Sequence, residues 1–216
     1  MPGAVLFDLD ETLYPYRDYK LSGFRAVAAH VGRRYGLDEQ AFFEALTNSI
    51  TEHGLSYRHS FDDAIEAVDA PEVPVGELLR VYRRHEPSIE LPGQSQSVIE
   101  DVRKSTQFVG IVTEGHRVMQ QKKVDALGLE ALVDEITITE DKTRLDAFER
   151  VLSRCDLPPT DVAYVGDDPS KDFEVPSDLG MVTVRVRVGM HADVVGPGPE
   201  PTHEVSSLAD VPEVLC

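Results

Sequence analysis

Residues 4–13 read Ala-Val-Leu-Phe-Asp-Leu-Asp-Glu-Thr-Leu. The short, nearly continuous apolar run over residues 4–9 predicts a strand covered on both faces. Two carboxylates, Asp8 and Asp10, close that strand. Residues i and i+2 of a strand project to the same side. Side by side at the mouth of a buried sheet, they repel each other and need a cation, a proton or a basic residue to coexist. A capping or turn role accounts for one such Asp, but not for two flanked by Val-Leu-Phe and Thr-Leu.

Beyond this strand the period changes. Phe24, Val27, Ala28, Val31 and Tyr35 fall at helical spacing, as do Phe42, Ala45, Leu46 and Ile50. Ser60 with Asp63 opens another helical pattern, and Leu78, Leu79 and Tyr82 mark one more. After Pro92-Gly93, strands and helices alternate: strands at residues 108–112, 135–138, 162–165 and 181–188, with helices at 96–104, up to Leu127 and around Leu145 to Leu152. Gly128 is placed as a helix stop. Residues 189–202, rich in Gly and Pro, read as a surface loop, and the last residues as a short strand and a helix. Alternation predicts an α/β fold with a doubly wound parallel sheet. The expected division is an α/β core of residues 1–13 and 89–216, with residues 14–88 as an inserted helical cap. Ligands in such sheets bind at the carboxyl ends of the strands.

Three further segments lie at such ends. Thr113-Glu114-Gly115 follows the second strand; it reads as an anion site of hydroxyl and backbone N–H groups, or as a helix cap on Thr113. Lys142 precedes a helix, and taken alone it reads as a surface lysine. Gly166-Asp167-Asp168-Pro169-Ser170-Lys171-Asp172 gathers three acids after a glycine, either an acidic turn or oxygen ligands for a divalent cation of the Mg²⁺ kind.

Together these segments resemble the haloacid dehalogenase (HAD) superfamily over nearly the whole chain. Phe-Asp-Leu-Asp-Glu-Thr-Leu-Tyr-Pro resembles its first motif, Ile-Val-Thr-Glu-Gly the second, Lys142 with Phe148 the third, and Val-Gly-Asp-Asp-Pro-Ser-Lys-Asp-Phe the fourth. The stretch from Gln120 to Ile136 looks like the family's link between the second and third motifs. The resemblance implies a phosphatase in which Asp8 is the nucleophile and Asp10 the general acid and then base. It implies Mg²⁺ held by Asp8, the backbone carbonyl of Asp10 and Asp167, supported by Asp172, with Asp168 as a further candidate. Thr113, Lys142 and backbone N–H groups near Gly115 would hold the phosphate. Asp10 favours phosphate chemistry over dehalogenation, because halide leaves unprotonated. A phosphomutase and a non-catalytic binding module on the same fold stay open. Three departures stand out. Thr143 replaces the usual Pro of the third motif. Glu114 replaces Asn or Asp, and is expected to point outward or meet a base. Val175-Pro176-Ser177 replaces small residues after the fourth motif, a change expected to shift the backbone after Asp172. The helical block is expected to close over the site, with Tyr14, Arg17, Arg58 and His59 either reaching the substrate from it or, the preferred reading, standing as surface residues.

Thirty-nine acids face 21 bases, for a net charge of −18. Such a surface argues against nucleic acid or an anionic membrane as partner. It fits a soluble surface that resists association, or adaptation to high salt, since six of the bases are Lys. The expected partner is a small phosphorylated metabolite, and the expected state a monomer or homodimer. Two cysteines, Cys155 and the terminal Cys216, build no disulfide framework, and the histidines lack zinc spacing. No basic region with a long apolar stretch opens the chain, so a cytoplasmic location is expected.

Overall fold

The computed structural model describes residues 1–215; Cys216 lies outside the described residues. The chain forms two compact units, Met1–Pro15 with Glu90–Cys216, and Tyr16–Ile89. Strand β1 (Ala4–Phe7) comes first. Helices α1 (Tyr16–Tyr35), α2 (Glu39–His53), α3 (Ser60–Ala67) and α4 (Val75–Arg84) build the second unit. Then follow α5 (Gly93–Ser105), β2 (Phe108–Glu114), α6 (Arg117–Leu127), β3 (Glu135–Thr139), α7 (Leu145–Cys155), β4 (Val162–Gly166), α8 (Glu174–Asp178), β5 (Val182–Val186), β6 (His203–Val205) and α9 (Val211–Leu215).

The six strands form one parallel sheet in the order β3-β2-β1-β4-β5-β6. This is the doubly wound α/β fold expected from the alternation. Every residue of β1 is buried, as its unbroken apolar run requires. Its Ala4–Phe7 backbone pairs with β2 on one side and β4 on the other. The chain therefore reverses its winding direction at β1, and the crevice outside the carboxyl ends of β1 and β4 is the topological switch point, where ligands bind in open sheets. On one face of the sheet, Leu6, Val112 and Tyr164 pack against Phe148 and Val151 of α7. The Phe148 and Tyr164 rings meet edge to face at 5.1 Å.

The helical unit has its own core of Phe24, Val27, Val31, Phe42, Leu46, Phe61, Leu78 and Tyr82. Asp38 caps α2 by accepting from the N–H groups of Gln40 and Ala41. Lys20 is buried there, its ammonium donating to the carbonyls of Leu55 and Tyr57. Lys20, Lys123 and Lys142 are all interior, so the exposed bases are mostly arginine.

Two local readings change. Strand β2 runs on to Glu114, which puts Thr113 inside a strand, fully buried; His116, not Thr113, precedes α6 as its N-cap. The 189–202 stretch does not simply run over the surface. Residues Gly189–His191 form a helical turn. The buried Arg185 guanidinium donates to the carbonyls of His191 and Val194, and the Met190 N–H donates to Glu11. Gly128 ends α6 in the left-handed conformation, as expected. No helix among the described residues is long and apolar enough to cross a membrane.

Candidate active site

Asp8 follows β1 directly, and its N–H donates to the Val165 carbonyl of β4 at 2.8 Å. Two neighbouring strand ends are thereby locked in register. Past the end of β4 the chain folds back on itself. The carboxylate of Asp172 accepts the N–H groups of Asp167 at 3.0 Å and Asp168 at 2.8 Å. Gly166 makes this possible: a Cβ there would lie 2.4 Å from Oδ2 of Asp172. The Val-Pro-Ser departure sits within α8 and leaves Asp172 fully buried in this turn.

Carboxylate oxygens of Asp8, Asp167 and Asp172 all lie within 4.8 Å of one another, and all three residues are buried. Lys142 enters the cluster, its Nζ 2.8 Å from Oδ1 of Asp8 and 2.5 Å from Oδ1 of Asp172. It is no surface lysine. Burial disfavours its charge, but the Asp172 and Asp8 charges outweigh burial and hold its pKa well above the ordinary value. Burial pushes Asp8 well up, aided by Asp172 and Asp167 and opposed by Lys142. Burial likewise raises Asp167. Asp8 and Asp172 thus share one ammonium in a low-dielectric place, while Asp167 meets His191 and the Thr12 hydroxyl. An all-oxygen donor set of carboxylates fits a hard divalent cation such as Mg²⁺.

Asp10 is arranged differently. Its carboxylate is not among the three clustered ones. Lys123 Nζ lies 2.8 Å from each of its oxygens, Gln120 Nε2 is 3.0 Å from Oδ2, and the Tyr14 hydroxyl is 2.5 Å from Oδ1. Burial disfavours its charge, yet Lys123 and these hydrogen bonds prevail and hold its pKa below the ordinary value. Tyr14 is buried and bonded here, contrary to its reading as a surface residue, whereas Arg17, Arg58 and His59 are exposed.

Around these acids stand the remaining candidates. Thr113 Oγ1 accepts from Gln120 Nε2 at 2.6 Å. Gly115 is at φ 152°, a bend in which a Cβ would meet Gln120 at 3.0 Å. Its own N–H donates to the Thr139 carbonyl at 2.8 Å. Glu114 meets a base as anticipated: Lys171 lies 2.9 Å away, and its other oxygen accepts the Lys142 N–H. Asp168 turns to its own loop, accepting from the N–H and hydroxyl of Ser170.

Three residues escaped the sequence reading. Gln120 and Lys123 did leave a signal: with Val124 and Leu127 they occupy the buried face of α6, where polar residues are out of place. His191 left none. Its Nδ1 is 2.6 Å from Oδ2 of Asp167, and that hydrogen bond raises its pKa.

Residues 2–176 match the family of haloacid dehalogenase-like hydrolases, and residues 142–211 match a second HAD-hydrolase-like family. The chain is 27% identical over 200 residues to the glyceraldehyde 3-phosphate phosphatase of Methanocaldococcus jannaschii, covering 88% of this chain and 87% of that one. It is 27% identical over 204 residues to the ribulose-1,5-bisphosphate 5-phosphatase of Halopiger xanaduensis, covering 85% and 84%. Its fold is similar to that of the HAD-hydrolase YfnB from Bacillus subtilis bound to magnesium, with a TM-score of 0.68 at 18% identity over 98% of this chain and 97% of that one. On the extent of the first match and the fold that accompanies it, this chain belongs to the haloacid dehalogenase-like hydrolases.

Proposed function

We propose that the protein is a Mg²⁺-dependent phosphatase that hydrolyses the monoester of a small phosphorylated sugar through a phosphoaspartate on Asp8. One observation carries this reading: Asp8 sits with Lys142 in a cluster of buried carboxylates, while Asp10, two residues on, is held apart from it by other partners. Two carboxylates of one strand end thus have separate partners, so one can attack phosphorus while the other exchanges a proton with the leaving oxygen. The names of the phosphatases aligned over most of the chain support the substrate class.

Asp8, the backbone carbonyl of Asp10 and Asp167 would hold the cation, with Asp172 in support. When bound, Mg²⁺ offsets the repulsion between the Asp8 carboxylate and a phosphate dianion. Lys142 and Thr113 hold phosphate oxygens. An Asp8 oxygen bonds to phosphorus as the bond to the sugar oxygen breaks, and Asp10 gives that oxygen its proton. Asp10 then takes a proton from water as the water oxygen bonds to phosphorus and the Asp8–phosphorus bond breaks. A cytoplasmic location belongs to the same proposal, supported by the free thiol of Cys155.

The test is phosphate release from p-nitrophenyl phosphate, glyceraldehyde 3-phosphate and ribulose 1,5-bisphosphate, with Mg²⁺ and with EDTA, for the wild type and Asp8→Asn. Release that needs both Mg²⁺ and Asp8 is the expected result. Isomerised sugar phosphate with little free phosphate would point to a mutase instead. Silence on every substrate, or full activity in Asp8→Asn, ends the proposal.

A further inference from the structure

We propose that Lys123 and Gln120 are positioning residues that hold the Asp10 carboxyl group in place for proton transfer; this rests on the phosphatase reading above. Asp10 lies beyond the end of β1, in a loop whose next residue, Glu11, is in the left-handed conformation at φ 63°. A backbone bridge between Asp10 and Tyr14 fixes the main chain of this turn but leaves the direction of the carboxyl group to its side-chain partners. Proton transfer to a leaving oxygen demands hydrogen-bond reach and alignment, so something must fix the carboxyl group from outside.

Helix α6 does so. Gln120 and Lys123 stand on its inner face, both 2% exposed. Val124 and Leu127 on the same face are buried, and Gly128 caps the helix end. The Lys123 ammonium lies 2.8 Å from Oδ1 and 2.8 Å from Oδ2. This symmetry matters chemically. Whichever oxygen carries the proton, the other still accepts from Lys123, so the group stays anchored in both its acid and its base form. Tyr14 adds a hydroxyl to Oδ1. Gln120 also bridges two functional groups, because the same amide nitrogen lies 3.0 Å from Asp10 Oδ2 and 2.6 Å from Thr113 Oγ1. It fixes the proton donor relative to a hydroxyl that would hold the phosphate.

The alternative is that Lys123 only neutralises a buried charge. The two roles separate on leaving groups. Nitrophenolate departs readily without a proton, whereas a sugar alkoxide does not. A misplaced Asp10 therefore harms the sugar ester selectively, and a general defect harms both substrates alike. The experiment measures kcat/KM of the full-length protein with Mg²⁺ on p-nitrophenyl phosphate and glyceraldehyde 3-phosphate, for wild type, Lys123→Met and Lys123→Arg. Because kcat/KM reports the steps through cleavage of the ester, hydrolysis of the phosphoaspartate does not mask the effect. The ratio of the two values is also independent of how much protein is folded. In Lys123→Met the sugar phosphate value should fall by about 100-fold or more, the size of a lost general acid. The nitrophenyl value should fall by less than a tenth as much, and Lys123→Arg should recover most of the selectivity. Equal losses on the two substrates, or none, overturn the inference while the phosphatase reading stands. A wild type inactive on both of these and on ribulose 1,5-bisphosphate overturns the phosphatase reading itself and this inference with it.

Discussion

The ammonium of Lys142 lies 2.8 Å from Oδ1 of Asp8, and both side chains are more than nine-tenths buried. The same ammonium serves Asp172. Removing it strands two buried carboxylates without their base, and breaking a buried pair in this way costs about 3–5 kcal/mol. Lys142→Met should lose stability of that order in urea unfolding with EDTA present. Turnover should fall by about 10²–10³-fold, as for loss of one electrostatic stabiliser. An unchanged urea midpoint would contradict the pairing.

Asp8→Asn should do the opposite to stability. Burial holds the Asp8 carboxyl well above its ordinary value of 3.8. A folded-state pKa that is raised contributes stability below the unfolded value, and that contribution is lost as pH rises through the folded value. At pH 7, without metal, Asp8 therefore weakens the protein relative to a neutral side chain of the same shape. Asp8→Asn should raise the metal-free Tm at pH 7, lose that advantage below about pH 4, and abolish phosphate release. A lower Tm at pH 7 would refute the electrostatic argument.

Metal should reverse the strain that Asp8 feels. A ligand at one hundred times its Kd stabilises by about 2.7 kcal/mol. For a chain of this length that is a Tm rise of about 5–10 °C. Differential scanning fluorimetry with Mg²⁺ against EDTA measures it. The rise should shrink in Asp8→Asn and Asp167→Asn; identical melting with and without Mg²⁺ would exclude a cation from the cluster.

Gly166→Ala tests the close turn after β4. The added methyl would lie 2.4 Å from Oδ2 of Asp172, which cannot retreat because it is fully buried and bonded to Lys142 and two backbone N–H groups. Overpacking of this kind costs about 1–3 kcal/mol. The variant should also bind Mg²⁺ more weakly in calorimetry. Wild-type stability and affinity together would show that the turn yields freely.

The helical unit carries its own pH dependence. Glu77 accepts from His30 Nε2 at 2.6 Å and from the Tyr35 hydroxyl at 2.9 Å, and these hydrogen bonds hold its pKa below the ordinary 4.5. A lowered pKa gives stability above the unfolded value that is lost as pH falls through the folded one. Glu77→Gln should melt slightly lower than wild type at pH 7, and the two curves should converge in acid. A difference that persists at the acid end would assign the effect to packing.

Legibility differed between fold and site. β1 was readable because a buried parallel strand needs an unbroken apolar run, and Ala-Val-Leu-Phe is one. Thr113 was harder: a β-branched hydroxyl before a glycine looks the same as a strand end or as a helix cap, and only the pairing of Thr113 with Ile138 shows the strand continuing. Gly115 was readable as part of an anion site, but the Thr139 carbonyl that takes its N–H belongs to another strand.

By itself the sequence determined the alternation of strand and helix, the two carboxylates at the end of β1 and the acids after β4, because spacing along an element fixes which side chains share a face. Tertiary structure alone decided their partners. Lys123 reaches Asp10 across 113 residues, Lys142 reaches Asp172 across 30, and His191 reaches Asp167 across 24. Contacts at such separations depend on how strands order in the sheet and where each helix docks, and no local periodicity encodes that.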